Sequence, residues 1–292
     1  MKKVFAELEP PYHFIDFETS MVALPFHKGR KPYEATAFQY SYHLMDEKGN
    51  IQHKNEYISF DKEFPNYEFV RALRKDLHGI KGTIFRYHNH ENTYLGMIYK
   101  QLMKESPDLI PDKDELIDFI QGISHYHPKK GEKIKWEGVN DMQDLYQLVL
   151  SYYYSPAAKG SNSIKDILPA VIRDSKYIRE KYSQPIYGTD QIPSLNFKNH
   201  VWISEEHEMN PYKTLPPILD GYTNESLEQF FEMDDELRDG GAAMMAYAYL
   251  QFGDLHADQR KLIKKALLRY CELDTMAMVM IWEYWGHEIN AF

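Results

Sequence analysis

Two pairs of residues in this sequence have the types and spacings that divalent-cation chemistry needs. In Tyr12-His-Phe-Ile-Asp-Phe-Glu18, Asp16 and Glu18 stand two apart within an alternation of apolar and polar residues that predicts a strand. Side chains alternate across a strand, so both carboxylates project from one face. Two like charges beside Phe14, Ile15 and Phe17 are costly unless a cation neutralises them, and hard carboxylate oxygens suit Mg²⁺ or Mn²⁺. Near the other end, Leu268-Arg-Tyr270-Cys-Glu-Leu-Asp274-Thr275 lies in a helical segment where Tyr270 and Asp274, at i and i+4, share a face. Met276, Ala277, Val279, Met280 and Ile281 make this helix apolar, which predicts packing on the sheet with Asp274 turned inward. An acid there would complete a metal cage, with the phenol beside it. Taken alone, each motif is commonplace. A lone D-x-E is more often a solvated strand end, and a lone Tyr-x-x-x-Asp more often a surface tyrosine with an ion-paired acid, Arg269 being a ready partner.

The elements that must position these groups follow from hydrophobic periodicity. After the first strand come strand-like runs at Ala35–Leu44 and Ile51–Phe60, joined by the turn Asp46-Glu-Lys-Gly-Asn50. Phe69, Val70, Leu73 and Leu77 have the spacing of an amphipathic helix over Asn66–Leu77. Thr83–Tyr87 reads as a fourth strand and Asn92–Lys104 as a helix. The opening order is therefore β-β-β-α-β-α, an α/β protein with a hairpin-containing mixed sheet flanked by helices. Downstream the chain turns helical, over about 114–124, 143–153, from 162 onward with Ser161 or Ser163 as N-cap, 240–250 and 258–285. Residues 184–222, rich in Pro, Gly, Asn and Tyr, read as irregular. A single domain over 1–292 is expected, with an irregular excursion at about 184–240.

Composition bounds the function. The chain has 292 residues and a formal charge of −10, with 34 basic against 44 acidic side chains; the acidic balance disfavours a stoichiometric nucleic-acid coat protein. A hydrophobic fraction of 43% excludes disorder over most of the length. One cysteine, Cys271, excludes an intrachain disulfide and a multi-cysteine zinc site, and reads as a small packing residue. No apolar run is long enough for a membrane helix, and Met1–Tyr12 lacks the apolar core of a signal peptide, so a cytoplasmic protein without a membrane partner is expected. His88, His90, His125 and His127 cluster in pairs without further ligands at zinc spacing and read as loop histidines. The basic runs 129–135 and 173–181 fit either a nucleic-acid track or solvated surface. Lys165, beside a helix start, suits phosphate binding, although ordinary capping explains its serines equally well.

Together, Ile15-Asp-Phe-Glu-Thr19 and Tyr270-x-x-x-Asp274 resemble the DEDDy subgroup of 3′→5′ exonucleases, in the ribonuclease-H-like superfamily. Phe38-Gln-Tyr-Ser-Tyr-His43, Gly160-Ser-Asn-Ser-Ile-Lys165 and Tyr270–Met278 are similar to a bacterial family whose exonuclease-like domain is sometimes joined to RecB-type nuclease modules. The resemblance implies a ribonuclease-H-like fold and two-metal hydrolysis, with two Mg²⁺ or Mn²⁺ ions, at single-stranded DNA or RNA 3′ ends. It implies a further acid after the fourth strand. Glu91 in Tyr87-His-Asn-His-Glu91 occupies that place, with Glu for Asp and His90 for an aromatic, while Asp141 and Asp144 stay in reserve. In the implied arrangement Asp16 bridges both ions, Glu18 and Asp274 hold the water-activating ion, and Glu91 lies near the leaving-group ion. Tyr270, a phenol of pKa about 10 when unperturbed, orients water or phosphate as a donor. Thr19 contacts the terminal hydroxyl, Met21 or Leu24 wedges against the last base, and Lys165 is a further substrate contact. Rival expectations are a non-catalytic module that binds a nucleic-acid end or a partner protein, and a structure-selective endonuclease on the same scaffold.

Overall fold

Alternation of buried side chains on two faces makes the first strand the centre of the molecule. The computed structural model describes residues 1–60, 62–128, 131, 133–215 and 240–290. In it β1 (Tyr12–Ser20) pairs antiparallel with β2 (Thr36–Met45), which pairs antiparallel with β3 (Ile51–Ile58). On its other edge β1 runs parallel to β4 (Thr83–Arg86), and β4 runs parallel to the two-residue β7 (Gln143–Asp144). The result is a five-stranded mixed sheet in the order β3-β2-β1-β4-β7. At the β2–β3 hairpin the Asp46 carboxylate accepts the backbone N–H groups of Lys48 and Asn50, so the turn predicted from Asp46–Asn50 is closed by its own side chain.

Ile15 and Phe17 face one side, with Tyr40 and Tyr42, under α2 (Asn66–Leu77), α3 (His90–Leu102) and α4 (Lys113–Ile123). Tyr12 and Phe14 face the other, in a core with Phe85, α5 (Leu145–Tyr152), α6 (Ile164–Asp174), α7 (Lys176–Tyr182) and the long α9 (Ala257–Glu288). A shorter helix, α8 (Gly240–Phe252), packs on the start of α9. Every residue of α9 from Tyr270 to Glu283 is buried, as expected of a helix enclosed by protein. Polar side chains of β2 fix its height: Gln39 donates to the Leu267 carbonyl at 2.8 Å, and Thr275 Oγ1 lies 2.8 Å from Ser41 Oγ and 2.7 Å from His43 Nδ1.

Several elements were not predicted. The N-terminal α1 (Lys2–Glu7) has no apolar periodicity of its own and is held by Phe5 stacking on Trp282 at 3.9 Å. The two-residue β5 (His125–Tyr126) and β6 (Trp136–Glu137) pair with one another and are too short to leave a pattern. Residues 183–210 are irregular as expected, but Tyr187 and Trp202 are fully buried, so this segment contributes to the core. A short 3₁₀ turn, Pro211–Thr214, follows it. The rest of the expected excursion, 216–239, lies outside the described residues, as do Lys129 and Lys130 of the basic run. Among the described residues no helix is long and apolar enough to cross a membrane.

The β1–β4 parallel pair depends on Gly82, just before β4. Its φ of +91° suits glycine, and a Cβ built there would lie 2.0 Å from the Pro11 carbonyl oxygen. Backbone must move to admit any side chain, so Gly82→Ala is expected to destabilise the fold by about 2–4 kcal/mol in denaturant melts. A loss below about 0.5 kcal/mol would show that this approach is not needed.

Candidate metal centre

β1 presents Asp16 and Glu18 to the face covered by α9, opposite Ser41 and Gln39 of β2. The ladder shifts register between Glu18 and Thr19, a break that ends regular pairing where the carboxylates stand. Ligand atoms of Asp16, Glu18 and Cys271 lie within 4.8 Å of one another. Cys271 Sγ is 3.5 Å from Asp16 Oδ2, so the cysteine packs in the core as expected and also touches the acid. Asp274, one turn further along α9, is buried with Tyr270. Glu91, in the first turn of α3, is buried and accepts the backbone N–H groups of Phe17 and of its own residue, while its Oε2 has no hydrogen-bond partner.

Charge links the four acids, since Asp274 and Glu91 both act on Asp16 and on Glu18. Burial, then the charges of Asp274, Glu91 and Glu18, hold the Asp16 carboxyl well above the ordinary range. Burial and Asp274 push Glu18 up to about 8, against the opposing pull of Lys165. Burial pushes Glu91 up to about 8, with Arg86 opposing. Carboxylates from β1, α3 and α9 thus bear on one another, with Lys165 and Arg86 opposing part of their charge. Such hard oxygen donors, with Glu91 Oε2 buried and unpartnered, fit a divalent cation of the Mg²⁺ or Mn²⁺ type.

Tyr212 of the 3₁₀ turn was missed by sequence reading. Its hydroxyl donates to Asp274 Oδ1 at 2.6 Å, and burial followed by Asp274 holds the phenol well above its ordinary pKa, so it stays a donor. Only its place in a segment dense in tyrosine and proline could have flagged it. Lys165, the second residue of α6, puts its ammonium 5.1 Å from the Tyr270 ring and 5.8 Å from the Tyr212 ring. Thr19 Oγ1 lies 2.9 Å from His90 Nε2 and ties the end of β1 to the start of α3. Met21 and Leu24 are exposed.

The reserve acids are held by partners of their own, with Asp144 still near enough to Glu91 to raise its pKa. Asp141 pairs with His125 Nδ1 at 2.8 Å. Asp144 caps α5 through Tyr146 N–H, accepts His88 N–H at 2.8 Å and pairs with the buried Arg86 at 3.0 Å. Asp144→Ala would leave Arg86 buried without its carboxylate, so a loss of about 2–4 kcal/mol is expected, with Mn²⁺ still raising Tm. Loss of the Mn²⁺ effect would return Asp144 to the metal-binding set. The basic run at 173–181 is spent partly inside the fold: Lys181 pairs with the buried Glu283 at 2.5 Å, and Arg179 donates to the Ile172 carbonyl.

A second cluster, His53, Glu56 and Glu272, also has metal-type spacing. Here Glu272 already receives Tyr187 at 2.6 Å, Ser194 at 2.5 Å and Asn196 at 2.9 Å, with His53 Nδ1 at 3.1 Å. The hydrogen bonds offset its burial and pull its pKa down. It clamps the irregular segment onto α9 and β3.

Fold and site together define an α/β protein with a mixed five-stranded sheet and a buried acidic cluster between its first strand and last helix. The chain belongs to the family described as a domain of unknown function (DUF2779), whose model matches residues 13–163. The match contains Asp16, Glu18 and Glu91 and ends before Lys165, Tyr212, Tyr270 and Asp274. No curated protein and no solved structure matches the chain.

Proposed function

We propose that the sheet is a ribonuclease-H-like core and that the protein is a metal-dependent 3′→5′ exonuclease acting on single-stranded DNA or RNA ends. One observation carries the reading. Asp16 and Glu18 of β1 stand close enough to Asp274 of α9, more than 250 positions away in the chain, and to Glu91 of α3 that the charges of both raise their pKa. The strand hairpin, the mixed sheet and the order β-β-β-α-β-α agree with that core.

Asp16, Glu18, Glu91 and Asp274 would hold two divalent ions, which when bound supply Lewis acidity and an activated water. The remaining work falls to the chain. Tyr212 fixes the rotamer of Asp274 by donating to one of its oxygens. Tyr270, one turn before Asp274, presents a phenol to the same face and serves to orient a phosphate oxygen or water. Lys165 offsets part of the negative charge at Glu18 and suits an incoming phosphate. Thr19, positioned by His90, stands at the end of β1 where a terminal hydroxyl would arrive.

The test is release of nucleotides from a 3′-labelled oligonucleotide with Mg²⁺ or Mn²⁺, in wild type and Asp16→Asn. Metal-dependent release that the substitution abolishes supports the reading. Release that survives it, or none with any divalent ion, favours a binding module. Cutting of circular strands favours an endonuclease.

A further inference from the structure

Along α3, from its N-cap to Lys100, lies a cavity of about 230 Å³. It is lined by Asn89, Asn92, Lys100, His125, Tyr126 and His127. Asn89 is the N-cap of α3 and stands two residues before Glu91, so one helix carries both an edge of the cavity and one of the four acids. We propose that this cavity is a phosphate subsite for the substrate strand, taking a backbone phosphodiester of single-stranded nucleic acid on Lys100 and His127. The proposal rests on the nucleic-acid reading of the acidic cluster and names where the strand is gripped.

Three observations carry it. The first is the chemistry of the lining: an ammonium, two imidazoles and two carboxamides converge in a protein whose formal charge is −10. A polyanionic strand is repelled by most of such a surface and gains where an ammonium and N–H donors line one cavity, even with the Asp141 carboxylate against His125. The second is pre-organisation. Lys100 Nζ lies 4.8 Å from the centroid of Tyr126, and that ring stacks on Trp136 at 4.9 Å and 19°. Gly96 lets the ring seat close on α3, since a Cβ there would be 3.2 Å from Tyr126 Cδ2. A cation held over an aromatic stack loses less side-chain entropy when an anion binds. The carboxamide of Asn92 is fixed by accepting His125 N–H at 2.9 Å, and the His125 ring is oriented by Asp141. The third is size: about 230 Å³ suits a phosphate with part of one nucleotide. A zinc site does not explain the histidines, because the groups with metal-type spacing among the described residues include neither His125 nor His127.

The experiment uses the full chain with Asp16→Asn, so that binding is read without shortening. Anisotropy of a fluorescent single-stranded oligonucleotide is measured over a salt series, with and without Lys100→Ala, Lys100→Arg or His127→Ala. Lys100→Ala is expected to weaken binding about tenfold and to flatten the log Kd against log salt slope by about 0.7, the value for one phosphate contact on a single strand. Lys100→Arg keeps the charge and should stay within about twofold. The exposed His127 gives an independent loss of affinity without a core defect. Unchanged affinity and slope in both alanine variants would overturn the subsite. Loss confined to binding of a nucleoside 5′-monophosphate, with the oligonucleotide unaffected, would overturn the backbone assignment in favour of a free nucleotide. Shortening by Asp16→Asn itself would defeat the exonuclease reading, while the salt slopes would still decide the subsite.

Discussion

Asp16→Asn is expected to lower metal-dependent 3′ shortening by at least about 10³-fold and, in the metal-free protein, to raise Tm. Both effects come from one carboxylate. Asp16 is the acid on which the charges of Glu18, Glu91 and Asp274 all bear, so it is central to the group that would hold the ions. Its loss removes several kcal/mol of transition-state stabilisation, and each ~1.4 kcal/mol is a tenfold change in rate. The amide also relieves the cost of placing an acid among acids, and it can still accept from Cys271, whose Sγ lies 3.5 Å from Asp16 Oδ2. A gain of roughly 2–4 °C per kcal/mol is the scale for a chain of this size. Nuclease assays and thermal melts in EDTA check the two halves. Wild-type shortening would remove Asp16 from the set that holds the ions, and a metal-free Tm that falls sharply would mean that Asp16 is structural. Gain of stability with loss of activity marks a group placed for function against the preference of the fold.

Much of this architecture could be read from local pattern, because the information was local. Asn66–Leu77 was predicted to the residue, since Phe69, Val70, Leu73 and Leu77 bury one stripe of a helix that solvent bathes on the other side. Asp16 and Glu18 on one strand face, and Tyr270 and Asp274 one helix turn apart, follow from periods of two and 3.6. Other features are tertiary. Tyr212 finds Asp274 only because Tyr187, Phe197 and Trp202 bury the irregular segment that carries it. Sequence spacing cannot report a contact across 62 positions. The start of α3 illustrates a subtler case: the helix begins at His90, two residues before the predicted start, which puts Glu91 within its first turn. There the amide dipoles favour a carboxylate. The choice between Glu91, Asp141 and Asp144 was open in the sequence because Glu91 stands where the resemblance implies Asp, and His90 where it implies an aromatic. In the structure Asp144 is occupied by Arg86 and two backbone N–H groups and Asp141 by His125, whereas Glu91, which accepts the N–H groups of Phe17 and of its own residue, keeps Oε2 without a hydrogen-bond partner.

Raising the pH from about 5 to about 8 is expected to destabilise the metal-free protein, and Mn²⁺ or Mg²⁺ is expected to restore stability chiefly at the upper end. Glu18 and Glu91 each rise from an ordinary 4.5 to about 8 in the fold. Between those values the native state binds more protons than the unfolded chain, so the stability of folding must fall as pH increases. Their contribution is fully present below about 4.5, declines as pH passes through the interval, and is lost above about 8; the scale is several kcal/mol at most. Lys165 and Arg86 already oppose the shifts of Glu18 and Glu91, so the residual cost reflects burial and the remaining acids. A divalent ion reverses the sign, because it competes with protons for the same oxygens and binds the ionised cluster. Melting curves with EDTA, and with Mn²⁺ in excess, should therefore diverge as pH rises, and calorimetry in buffers of different ionisation enthalpy should detect protons released on metal binding near neutral pH. A metal-induced rise in Tm that is the same at about pH 5 and about pH 8 would place the ion elsewhere. A metal-free Tm that climbs towards pH 8 would show that these carboxylates are already neutralised by the protein itself, leaving a cation no charge to balance.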